Sequence, residues 1–300
     1  MTGIESWGTL VILWLQSFSM PGLDLLFKLI TFLGDEKFYL FLVPFVYWCV
    51  DKRLGLRLAL VVMASNAVNL WLKFAFGLSR PPSPPVRHIV DETGPGFPSG
   101  HAQAVTVALG YPVSQIQRWR VHLVAAGLVF LVGLSRMYLG VHYPHDVVGG
   151  LVFGYLVLFL FVKGSPLLER AWASWPWALR CGLAFGGPVL LLAAWPLEDA
   201  AGSLGALAGL AVGALIEVER VRFTVMGSWQ QRLLRFLLGF ALVAGLYFGL
   251  KAVVPPGIAW RFVRYASVGL GASGVVPWLF VRLGLAGAEP ALGLAPTEAS

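Results

Sequence analysis

Apolar stretches recur along this chain from residue 38 to residue 283, separated by short connections that hold most of the charge. A membrane-spanning helix needs about 20 mainly apolar residues, fewer where neighbours bury its ends. That criterion predicts spans near 38–50, 54–76, 101–116, 121–137, 145–163, 178–196, 203–216, 233–252 and 260–283. The predicted fold class is therefore all-α, a polytopic membrane helical bundle of about nine spans. Only 12% of the residues are charged against 58% hydrophobic, and a water-soluble domain carries roughly twice that charged fraction. Because the apolar stretches run the whole length, a cleaved leader on a soluble body is not expected.

The first 35 residues are apolar but broken at Met20-Pro21-Gly22, which predicts short interfacial or re-entrant helices before the first full span. Residues 36–165 are expected to form one membrane core and 166–285 additional transmembrane helices. The small, polar, proline-containing tail at 286–300 is expected to be disordered.

The net charge of +7 comes from cations scattered singly or in pairs, not from a stripe with interleaved aromatics, so no nucleic-acid partner is expected. The charge reads as topology. Connections holding Lys52 and Arg53, Arg118 and Arg120, Lys163 and Arg170, Arg220 and Arg222, and Arg282 belong on the cytoplasmic side. The alternate connections at 34–37, 77–100, 136–144, 197–199 and 253–256 then face outward. The expected location is a bacterial inner membrane, with the outward connections on its extracytoplasmic side. Cys49 and Cys181 sit in apolar runs without metal-ligand spacing and read as packing residues.

Three outward pieces share an unusual composition. In KFAFGLSRP, Lys73 and Arg80 are two helical turns apart and are expected on one helix face, with Pro81 and Pro82 ending the helix. In GPGFPSGH, Pro98 stiffens a turn, Ser99 is a candidate cap and Gly100 permits close backbone approach, building a helix N-terminus that favours an anion beside His101. In SRMYLGVHYPHD, Arg136 precedes His142 and Asp146, and a helix starting near Pro144 would bring the carboxylate back to the imidazole, fixing its tautomer. Any one such residue alone is most simply a topology anchor or a surface polar group. Together, in so apolar a chain, they mark a functional cluster, because ionisable groups are costly there. His145, His88 and Asp91 read as local or solvated polar residues, and Glu217, Glu219, Arg220 and Arg222 as a solvated connection. Arg261 and Arg264 suit topology anchoring or attraction of anionic lipid.

The spacing Lys73-x6-Arg80-Pro81, Pro98-Ser99-Gly100-His101 and Ser135-Arg136-x5-His142-x3-Asp146 resembles the three-part signature of the type 2 phosphatidic acid phosphatase (PAP2) superfamily, over roughly residues 36–165. GDEKFY and ETGPGFPSGH are similar to the branch with glucose-6-phosphatase catalytic subunits and sphingosine-1-phosphate phosphatases. The resemblance implies that His142 attacks phosphorus to form a phosphohistidine, that Asp146 orients it, and that His101 acts as general acid and then general base. Lys73, Arg80, Ser99, Gly100 and Arg136 would bind the phosphoryl oxygens. It implies no cofactor and no metal, since cations fill that role.

The function expected is hydrolysis of a lipid phosphate or diphosphate at the outer membrane face, with membrane lipids as partners. Three alternatives stand beside it: a phosphatase for a soluble sugar phosphate, a phosphotransferase passing the group to another lipid, and a non-catalytic anion-binding transporter or scaffold. The complete His142, Asp146 and His101 set speaks against the last. Vanadate haloperoxidases share a similar pocket, but they are soluble.

Overall fold

The computed structural model describes residues 3–289. Helices follow one another in the order α1 (Gly3–Gln16), α2 (Pro21–Thr31), α3 (Glu36–Phe45), α4 (Lys52–Phe76), α5 (Gly100–Ser114), α6 (Trp119–Tyr138), α7 (Pro144–Ser174), α8 (Trp177–Ala194), α9 (Glu198–Ile216), α10 (Trp229–Val253), α11 (Ile258–Leu270) and α12 (Val276–Arg282). Among the described residues the only strand-like pairing is an isolated bridge between Phe223 and Ala288. The all-α membrane expectation therefore holds, but the count of nine is not reached. Among the described residues six helices, α4 and α6 to α10, are long and apolar enough to cross a membrane, the fifth of them extended to Val221 by a π-helical turn. The other three predicted spans are shorter or interrupted. α3 continues only through a π-helical turn to Val50, α5 has 15 residues, and a π-helical turn at Gly271–Val275 separates α11 from α12.

The chain divides into two compact units, residues 1–41 with 61–174, and residues 42–60 with 175–300. In the first, Pro21 supplies the first residue of α2, where its missing N–H costs nothing, and so fixes the predicted break after α1. α7 packs against α5 through Gly150 and Gly154, where an added Cβ would meet Ser99 O and Gln103 O. Small residues four apart let two helix backbones approach closely in a membrane. This approach brings the start of α5 beside the start of α7.

In the second unit Tyr47, Trp48 and Cys49 are buried with Phe223, Val276 and Phe280. That packing, not the sequence boundary at residue 36, assigns residues 42–60 to this unit. α9 lies against α11 along Gly205, Gly209 and Gly213, where a Cβ would collide with Phe262 O, Ala266 O and the Ser273 hydroxyl respectively. Two expectations change here. Glu217 is buried and pairs with Lys52 at 3.4 Å, and Glu219 pairs with Arg180, so the charge run after α9 is only partly a solvated connection, with Arg220 its exposed member. Residues 287–289 also pair with 222–224 through backbone hydrogen bonds, so the expected disorder does not begin at residue 286. The rest of that tail lies outside the described residues.

Candidate active site

Every site residue named from the sequence falls in the first unit. Lys73 lies in the last turn of α4 and its Nζ donates to Pro95 O. Gly77 then adopts a left-handed backbone (φ +58) and its N–H closes on Lys73 O, the arrangement that ends a helix with glycine. Arg80 is therefore not on the helix, contrary to the two-turn expectation, because the chain breaks at Gly77 before Pro81 can act. It reaches the site from the loop, held by Nε donating to Gly94 O at 3.0 Å and Nη2 to Thr93 O at 3.1 Å.

Ser99 precedes α5 in an extended conformation, and Gly100 is the first helical residue. The hydroxyl does not cap the helix. It is fully buried and without a hydrogen-bond partner, while Ser99 N–H donates to Asp146 O at 2.9 Å, tying this turn to α7. An unpaired buried hydroxyl is costly, and this one sits beside the free N–H groups at the start of α5. The turn is braced from behind by a buried amide chain. Asn69 Nδ2 donates to Gln103 Oε1 at 2.9 Å and to Pro98 O at 3.4 Å, and Gln103 Nε2 donates to Ser65 O at 2.8 Å.

The third piece bends between α6 and α7. Pro144 starts α7, as the spacing predicts, and one turn of helix brings Asp146 Oδ2 to 3.4 Å from His142 Nδ1. The same oxygen accepts the Tyr143 N–H at 2.9 Å. On the other side of the ring, Arg80 Nη1 lies 3.1 Å from His142 Nε2. A guanidinium can only donate, so Nε2 must accept, and the ring proton belongs on Nδ1 facing the carboxylate. His142 is almost fully buried. Burial pushes its pKa well below the usual imidazole value, and the positive charges of Arg136, Arg80 and Lys73 push the same way. The ring is neutral, with its lone pair on the side of the cations.

Arg136 is 1% exposed, and its Nη1 donates to Thr31 Oγ1 at 2.8 Å. Lys73 Nζ meets Pro95 O, Arg80 meets His142 and the Ser99 N–H meets Asp146 O, so the three sequence pieces converge on one site, with His101 one residue past Gly100 at the start of α5. His145 stacks on Tyr143 and reaches Asp146 Oδ1 at 3.3 Å, on the far side from His142. His88 is exposed, and its Nε2 lies 2.9 Å from Pro81 O.

Sequence reasoning missed two carboxylates. Glu92 Oε1 accepts from Arg136 Nη2, and its other oxygen lies 3.6 Å from Arg80 Nη2, so it bridges both guanidinium groups. Asp35 Oδ2 stands 4.0 Å from His101 Nε2, and a Cβ at neighbouring Gly34 would lie 2.9 Å from His101 Cβ. Both acids lie inside segments singled out for their resemblance, GDEKFY and ETGPGFPSGH, but neither belongs to the three-part spacing. A clearer signal was the amides: Asn69 and Gln103 stand inside otherwise apolar runs, where polar groups need partners.

Among known proteins, the model of the PAP2 superfamily matches residues 54–169, and that of the PAP2 superfamily phosphatase transmembrane extension matches residues 201–288. The chain belongs to the PAP2 superfamily. This PAP2 protein is 25% identical to mouse sphingosine-1-phosphate phosphatase 1 over 87% of its own length and 72% of that protein. It is 35% identical to mouse glucose-6-phosphatase 3 over 49% of its own length and 50% of that protein. A crystal structure of a transmembrane PAP2 type phosphatidylglycerolphosphate phosphatase from Bacillus subtilis aligns with a TM-score of 0.49 at 26% identity, covering 57% of this chain and 90% of that one. The family and the apolar helices make this protein a multi-pass membrane phosphatase.

Proposed function

We propose that this PAP2 phosphatase hydrolyses a lipid phosphate through a phosphohistidine on His142, with the site on the extracytoplasmic side. The observation that carries the reading is the two-sided environment of His142, with Asp146 on Nδ1 and a guanidinium on Nε2. A neutral imidazole with a fixed tautomer beside an oxyanion cradle can attack in line once a bound phosphate draws Arg80 away from Nε2.

In the first step the Nε2 lone pair forms the N–P bond while the P–O bond to the leaving alkoxide breaks. His101 gives its proton to that oxygen. Asp146 steadies the phosphorylated, positively charged ring. Lys73, Arg80 and Arg136, with the Ser99 hydroxyl and the Gly100 N–H, hold the three phosphoryl oxygens, on which charge is spread in the transition state. In the second step His101 takes a proton from water, the oxygen attacks phosphorus, the N–P bond breaks and inorganic phosphate leaves. These groups supply charge stabilisation and both proton transfers with no resident metal or cofactor.

The lipid class is supported by the match to sphingosine-1-phosphate phosphatase 1, which spans most of this chain. A second reading, a soluble sugar phosphate, is favoured by the higher identity to glucose-6-phosphatase 3 over a shorter stretch. Phosphate release by the purified protein, comparing sphingoid phosphates, phosphatidic acid and phosphatidylglycerol phosphate with glucose 6-phosphate, tests both. Higher kcat/KM on the lipid substrates is expected, and a preference for the sugar phosphate would replace the first reading with the second. Labelled phosphate retained on the protein in alkaline quench, and absent from His142→Ala, is the expected sign of the intermediate.

A further inference from the structure

We propose that Glu92 is a specificity residue of this site: its carboxylate occupies the arginine pair until a dianionic phosphate monoester displaces it, and monoanionic phosphodiesters are refused. The inference rests on the assignment of Arg80 and Arg136 to the phosphoryl oxygens.

Glu92 takes both guanidinium groups at once, accepting from Arg136 Nη2 with one oxygen and lying 3.6 Å from Arg80 Nη2 with the other. A carboxylate so placed copies two oxygens and one negative charge of a bound phosphoryl group. Its side chain is 26% exposed whereas that of Arg136 is 1% exposed, so Glu92 reaches in from the rim and has a way out.

Glu92 is not the only group that holds the arginines. Arg80 is also held by Gly94 O, Thr93 O and Val141 O, and Arg136 by Thr31 Oγ1. Removing Glu92 leaves these contacts in place and uncovers the charge of the pair. The resting state also occupies the nucleophile, because Arg80 Nη1 points at His142 Nε2.

The exchange has a direction set by charge. A phosphodiester brings one negative charge to replace the one that Glu92 withdraws, so it gains little Coulombic energy and loses the intramolecular advantage of a tethered competitor. A monoester dianion brings two. In a bilayer, phosphodiester headgroups outnumber a phosphate monoester, and a cradle of bare cations would be filled by them. A resident competitor weakens every anion by the fraction of time it vacates the site, and the extra charge of the dianion restores what the diester lacks.

The test uses the full-length protein in detergent, with wild type, Glu92→Gln and Glu92→Asp. Binding of tungstate, a tetrahedral dianion, and of dimethyl phosphate, a monoanionic diester, is measured by calorimetry. Wild type is expected to bind tungstate and to exclude dimethyl phosphate. Glu92→Gln is expected to bind tungstate on the order of tenfold more tightly and to acquire dimethyl phosphate binding, while Glu92→Asp, which keeps the charge, still excludes the diester. Unchanged or weaker tungstate binding in Glu92→Gln with the diester still excluded would overturn the proposal and make Glu92 a brace for the arginines. Loss of discrimination in Glu92→Asp would overturn it too, since charge would not be the determinant. Binding needs no turnover, so a wild type that binds tungstate yet releases phosphate from no substrate would remove the phosphatase reading of this site and leave the Glu92 inference intact.

Discussion

His142 receives opposite demands from its two sides, and most of the testable chemistry lies there. Removing the proposed nucleophile by His142→Ala is expected to abolish phosphate release while leaving membrane insertion and thermal stability near wild type. Arg136→Ala is expected to cost roughly 10²- to 10³-fold in kcat/KM, the range for losing one oxyanion donor. The pH dependence follows from the depressed pKa of His142, caused first by burial and then by Arg136, Arg80 and Lys73. A base whose pKa is lowered in the folded protein stays neutral down through the ordinary imidazole range. The acidic limb of kcat/KM attributable to this base therefore falls well below pH ~6.5. Arg80→Gln removes one of the charges that depress it, so that limb is expected to move to higher pH as well as the rate falling. An acidic limb unmoved by Arg80→Gln would mean that His142 is not the titrating base. At this scale the sequence named Lys73, Arg80, Ser99, Gly100, His101, Arg136, His142 and Asp146, because a fixed spacing ties them together. It was silent on Glu92 and Asp35, because what makes them matter is proximity across separate segments.

Helix ends and helix contacts determine how those side chains meet. The start of α7 at Pro144 was legible from proline and the four-residue spacing of His142 and Asp146. The end of α4 was misplaced because Gly77, four residues before the prolines, stops the helix first. The capping expectation for Ser99 was also wrong: its hydroxyl is buried and unpaired, and it is the Asn69, Gln103 and Ser65 chain that holds the turn. Replacing Gln103 with Leu leaves Asn69 Nδ2 and Ser65 without their buried partner. A loss of about 1–3 kcal/mol is expected, read as a lowered Tm in detergent, together with a fall in kcat as the Ser99 to His101 turn loosens. A variant with unchanged Tm and kcat would show that the amide chain does not support the turn. Gly34 tests the other approach to the site. Its absent Cβ lies where His101 Cβ and O come within 2.9 Å, so Gly34→Val is expected to displace the start of α5 and lower kcat, with tungstate binding following the same loss.

The whole chain was legible as a polytopic helical bundle because apolar residues recur over its full length. The number of crossings was less legible because hydropathy alone does not register π-helical turns, such as those at Val46–Val50 and Gly271–Val275, or a helix as short as α5. The division into units was hidden for a related reason: it depends on which distant segments bury Tyr47, Trp48 and Cys49. Those residues precede α4 in the sequence but share a core with Phe223, Val276 and Phe280. The region matching the PAP2 superfamily, 54–169, thus begins inside a helix whose first turns belong with the C-terminal helices. A chain cut after Ser174 keeps every proposed catalytic residue, yet it strips Trp48 of Phe280 and Lys52 of Glu217. Exposing a buried tryptophan and leaving an ion pair without its partner each remove kilocalories, about 3–5 kcal/mol for a large aromatic core loss. The truncated chain is therefore expected to accumulate poorly and to melt well below the full chain in detergent. Trp48→Ala in the full-length protein is expected to reproduce much of that loss while leaving KM for its substrate unchanged in the folded fraction. A truncated chain with full-length Tm and activity would instead show that residues 42–60 need no partner from the C-terminal helices, and that the catalytic unit folds on its own.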